Sequence, residues 1–204
     1  QIDDGVGGGV APIVAPVGDN DGTTLVSNIV SGGSYILGIK NLTDHAGSTM
    51  LTYLLKQELV RLGRSVVAME VGRKDFLYIN DKELVSTTKD GLAAELLKYR
   101  NASVVLVDLN DGDTNLCSDV IYLVEPSSMK LNKMMRRDSK VFEKLKGKKI
   151  VLARSLLTLQ DITEFEYEAK TKIFFNLPPM DERQDNSSVL QDLLNRLGIS
   201  TYTG

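Results

Sequence analysis

Cysteine occurs once in the 204 residues, at Cys117, histidine once, at His45, and tryptophan not at all. A single cysteine excludes an intrachain disulfide, a structural zinc cluster and a C-x-x-C redox pair, and it suits a reducing compartment. Just before an apolar stretch, Cys117 reads as a small hydrophobe. The lone His45 has no serine or cysteine neighbour with which to form a triad, and its plain reading is a solvated loop residue. No run approaches the roughly 18 consecutive apolar residues of a membrane span, and the first residues lack the basic-then-apolar order of a signal peptide. The expectation is a soluble, cytoplasmic chain whose membrane recruitment, if any, comes through a partner.

Basic residues are missing from one region altogether. Residues 1–33 hold Asp3, Asp4, Asp19 and Asp21, eight of the 17 glycines and no Lys or Arg. Such a segment buries too little to repay its ordering entropy, so it reads as a linker or N-terminal extension, with an added edge strand through Ile13, Val14 and Val17 as the alternative. Residues 34–204 carry 24 basic against 23 acidic groups and form the domain.

In that domain short apolar runs alternate with longer periodic stretches. The runs Tyr35–Lys40, Ser65–Glu70, Ser103–Leu109, Val120–Val124, Lys149–Ala153 and Lys172–Phe175 are apolar on both faces, as in strands covered on each side by helices. Leu51, Leu54, Leu55, Leu59 and Leu62 recur at helical spacing, with Gly63 placed for a left-handed cap. Leu131, Met134, Met135, Phe142 and Leu145 track one face of a second helix, and a last helix runs around Val189–Leu197 with caps from 185–188. The fold class is α/β: a three-layer, mostly parallel sheet flanked by helices.

Ligands of such sheets bind beyond the carboxyl ends of the strands, so the first loop, residues 41–49, is the leading site. It reads Asn41-Leu42-Thr43-Asp44-His45-Ala46-Gly47-Ser48-Thr49 and runs into a helix N-terminus, whose free N–H groups suit a phosphate. A working phosphate loop reads G-x-x-x-x-G-K-[S/T]. Gly47 and the hydroxyl Thr49 match; the lysine position holds Ser48.

In the order of its elements the chain resembles the MinD/ParA group of deviant Walker-type P-loop ATPases, whose loop is K-G-G-x-G-K-T-T. On that pattern Thr43 stands at the signature lysine, Asp44 and His45 at two glycines, Ser48 at the Walker lysine and Thr49 at the magnesium hydroxyl. Val104–Asp108 is similar to Walker B, Glu70 stands where the group has a catalytic-site aspartate, and Ala153 where an adenine-contacting Asn often stands. The resemblance implies a nucleotide site of Gly47, Ser48, Thr49, Glu70 and Asp108, with Mg²⁺ on Thr49 and Asp108, for ATP or ADP, or for no ligand where the missing lysines forbid one. No catalytic residue is assigned. Lys40 is the one nearby substitute cation.

Ser128–Lys149 carries nine basic residues against Asp138 and Glu143. It is read as a solvated helix face or as a partner, nucleic-acid or anionic-lipid surface through Lys130, Lys133, Arg136, Arg137 and Lys140. The last helix has only Arg196, opposed by Asp192, and lacks the basic face of a membrane-targeting tail. Asp108, Asp111 and Asp113 lack the spacing of a calcium loop. Within the group, the acidic Gly-rich start and altered loop look most like the TadZ/CpaE pilus-assembly proteins. The resemblance then implies a degenerate ATPase-like positioning or assembly module of a bacterial pilus or secretion machine, a homodimer with partners in a membrane-associated machine and weak or absent hydrolysis. The alternative is an active partition-type ATPase binding DNA or a partner through residues 128–149.

Overall fold

A computed structural model describes residues 33–199. The linker expected over 1–33, Gly33 apart, and the edge strand expected near residue 13 lie outside the described residues. Seven strands form one sheet: β1 (Tyr35–Asn41), β2 (Val66–Val71), β3 (Leu84–Thr87), β4 (Val104–Asp108), β5 (Asp119–Val124), β6 (Lys149–Leu152) and β7 (Ile173–Asn176). Their order is β3-β2-β4-β1-β5-β6-β7, and every pair is parallel. Among the described residues there are six α-helices, the first five between strands and the last after β7: α1 (Ser48–Arg61), α2 (Leu92–Lys98), α3 (Ser128–Arg137), α4 (Val141–Lys144), α5 (Leu159–Ala169) and α6 (Ser187–Leu197).

The two-sided apolar strands have the cover they require. On one face Leu37 and Ile39 of β1 pack with Leu51, Leu55 and Leu59 of α1 and Leu190, Leu193 and Leu194 of α6. On the other, Ile36 packs with Val105, Val107 and Leu92 and Leu96 of α2, while Val124, Ile150 and Leu152 meet Met134 of α3 and Leu145. Each such leucine contributes about 1.5–3 kcal/mol when fully buried. α1 ends as its sequence predicts: Gly63 has φ +76°, the Gly63 N–H donates to Val60 and the Arg64 N–H to Leu59.

Two expectations are corrected. The basic stretch is two helices rather than one, because Asp138 leaves helical geometry (φ −146°, ψ 99°) and its carboxylate accepts the Lys140 N–H at 3.1 Å, a side-chain turn that competes with the helix. Within α3, Met134 is buried and Met135 lies off the buried face. A seventh strand, β3, stands at the sheet edge, where its partly polar Leu-Val-Ser-Thr run escapes an apolar pattern.

Candidate functional site

β1 lies between β4 and β5, so its carboxyl end opens where the chain turns to either side. The loop leaving it is pinned to β5: the Leu42 N–H donates to Leu123, and the Glu125 N–H donates to the Thr43 hydroxyl at 2.8 Å. Gly47 then adopts φ +102°, which a side chain resists, and starts α1.

The helix start is held by side chains rather than left open. Asn41 Oδ1 accepts the Ser48 N–H at 3.1 Å, and its Nδ2 donates to Ser48 Oγ at 2.9 Å. Ser48 Oγ donates to Asp108 Oδ1 at 2.6 Å, and Thr49 Oγ1 to Asp108 Oδ2 at 2.5 Å. Ser48 is 1% and Asp108 0% exposed. A carboxylate this deep is tolerable because both oxygens have donors.

Two arginines converge on the turn. Gly72, at φ +68°, turns the chain after β2, and Arg73 Nη1 donates to Thr49 Oγ1 at 3.1 Å. Arg154, after β6, takes φ +53°; its guanidinium lies 3.6–3.9 Å from where a Cβ on Gly47 would stand. Glu125 Oε2 lies 3.6 Å from Arg154 Nη1 and 2.6 Å from Lys130 Nζ.

Three of the basic residues of α3 also face the loop. Lys133 and Arg137 both bind the Asp44 carboxylate, and their hydrogen bonds hold its pKa down at about 2. Lys130 binds Glu125, while Arg136 and Lys140 stay exposed.

The structure therefore brings Gly47, Ser48, Thr49 and Asp108 together. Glu70 is engaged elsewhere: its carboxylate accepts the Asp75 and Phe76 N–H groups at 3.1 and 2.9 Å and the Ser86 hydroxyl at 2.5 Å. Lys40 makes no hydrogen bond or ion pair with the loop among the described residues. Burial pushes the Cys117 thiol up to about 12, as suits an inert hydrophobe. His45 is exposed. Arg73 and Arg154 were not legible as site residues, and Asn41, though within the 41–49 loop, was given no role of its own. Their sequence signals are positions at or two residues past strand ends, and for Arg73 the preceding glycine.

No protein-family model matches the chain, and no curated protein matches it. Solved structures do. MinD cell division protein of Aquifex aeolicus is 16% identical over 81% of this chain and 97% of its own, with a TM-score of 0.56. HypB of Helicobacter pylori, in complex with nickel, is 11% identical over 89% and 96%, at 0.57. The fold is that of the MinD/ParA-like P-loop NTPases. A protein assigned to plasmid partition in Borrelia burgdorferi, bound to AMPPNP, is 13% identical over 80% and 98%, at 0.50. The Mg²⁺ that the resemblance implies would be held by Thr49 and Asp108. Arg73 opposes it: its Nη1 already donates to Thr49 Oγ1, so a cation on that oxygen would stand beside a guanidinium.

Proposed function

We propose that this chain is a positioning or assembly module on a partition-type ATPase fold, with weak or absent ATP hydrolysis, serving a bacterial pilus or secretion machine as TadZ/CpaE-like proteins do. One observation carries the reading: Ser48, where a phosphate loop has its lysine, is buried and bonded to Asn41 and Asp108. Phosphoryl transfer is catalysed mostly by positioning and by stabilising charge on the transferred group, so a neutral side chain turned inward removes a main contributor. The Borrelia structure with AMPPNP supports placing a nucleotide or its phosphates at the Gly47–Thr49 turn.

The chain acts as a homodimer through the carboxyl edge of the sheet, with the 41–49 loops brought together, and meets protein partners of a membrane-associated machine. Met129, Leu156 and Leu159, 82–85% exposed on segments following β5 and β6, supply apolar area for that contact. The DNA-binding alternative is weaker because Lys130, Lys133 and Arg137 are already paired with Glu125 and Asp44, and phosphates would have to displace those carboxylates.

Sedimentation at micromolar concentration tests the assembly. Dimer is expected with and without ATP, and monomer in the Leu156→Glu/Leu159→Glu variant. Monomer of the unaltered chain under both conditions contradicts the proposal.

A further inference from the structure

The Thr49 hydroxyl has one proton and two lone pairs; Asp108 takes the proton and Arg73 binds the oxygen. A metal ion on that oxygen would lie within hydrogen-bond range of a guanidinium, and the two cations repel at close range. Arg73 is half-buried, directed here by the left-handed turn at Gly72, and pairs with no carboxylate among the described residues. Most of its five N–H donors are left for a ligand.

Arg154 repeats the arrangement from the other side. Its own backbone is left-handed, a conformation that non-glycine residues adopt at a cost, and its guanidinium fits over the one residue of the turn without a side chain. The contact with Glu125 is beyond hydrogen-bond length, and Glu125 is already bound by Lys130 at 2.6 Å. The planar fork of arginine matches two oxygens of a phosphate.

We infer that the turn binds a phosphoanion without a divalent metal, Arg73 taking the place of Mg²⁺ and Arg154 that of the loop lysine. This deepens the non-hydrolysing reading of the same site and rests on it: fixed guanidinium charge holds a phosphate but coordinates no attacking or leaving oxygen as a metal does. The loops after β2 and β6 supply the cations that the first loop lacks.

Calorimetric titration of the full chain with ATP, ADP and inorganic phosphate, each in EDTA and in Mg²⁺, tests the inference. At least one of the three binds in EDTA, with an affinity within about threefold of that in Mg²⁺. Arg73→Gln weakens binding about tenfold or more, the loss of a charge-assisted pair, and Arg154→Gln weakens it several-fold. Phosphate binding equal to ADP assigns the site to the phosphoanion alone; preference for ADP assigns it to the nucleotide, and both support the inference. Arg154 is exposed and free of hydrogen bonds among the described residues, so its variant keeps the parent's urea midpoint and reports on the site even if Arg73→Gln unfolds. Binding that appears only with Mg²⁺, no binding in EDTA, or unchanged affinity in a folded Arg154→Gln overturns the inference. ATP turnover would overturn the non-hydrolysing reading instead, so the two failures are distinguishable.

Discussion

Ser48, Thr49 and Asp108 show what a single position can do to a phosphate loop. With serine in place of lysine, the helix start folds onto Asp108, and a fully buried carboxylate becomes the anchor of two hydroxyls. Asp108→Asn keeps one acceptor but puts an amide against a hydroxyl; the expected loss is about 2 kcal/mol in urea unfolding. Asp44 gives a test by pH. Its pKa falls from the ordinary 3.8 to about 2 because Lys133 and Arg137 donate to it. A folded value below the unfolded one stabilises above about pH 4 and is lost as pH falls through 2. A carboxyl titration followed by NMR should place the midpoint near 2, and Lys133→Ala/Arg137→Ala should return it towards 3.8. Gly47, Ser48 and Thr49 fall within one short motif, and Asp108 closes an apolar strand run, so each carried a local signal without its partner being visible. Arg73 reaches Thr49 from 24 residues away, and no spacing rule announces it.

At the scale of elements, periodicity revealed whatever had a buried face on its own. α1, with Leu51, Leu55 and Leu59 one turn apart, and its glycine cap were readable. Gly63→Ala places a Cβ in open space, so only the left-handed φ opposes it, and the expected loss is about 1 kcal/mol by thermal or urea unfolding. β3 and the short α2 and α5 were not picked out: β3 is partly polar at the edge, α2 has only Leu92 and Leu96 fully buried, and α5 has no fully buried residue. The break between α3 and α4 was hidden because Leu131, Met134, Phe142 and Leu145 sustain an apolar rhythm across it, while Asp138 and its hydrogen bond to Lys140 decide the geometry.

For the molecule as a whole, strands apolar on both faces implied a covered parallel sheet, and the sheet is parallel throughout. Among the described residues no helix is long and apolar enough to cross a membrane. The carboxyl edge collects the 41–49 loop, both arginines, the cations of α3 and the exposed Met129, Leu156 and Leu159, so the proposed ligand site and the proposed dimer contact share one surface. A partner covering that edge would bury Arg73 and Arg154 beside whatever phosphate they hold.

Phosphate release by the full chain at saturating ATP and Mg²⁺, at a concentration where it is assembled, tests the loss of hydrolysis most directly. The account predicts release at the level of buffer or well below one molecule per minute per chain. Sustained release of a few molecules per minute or more, abolished by Thr49→Ala, would contradict it, since so steady an output is turnover at this site, even though it lies below the ordinary range of about 1 per second upwards.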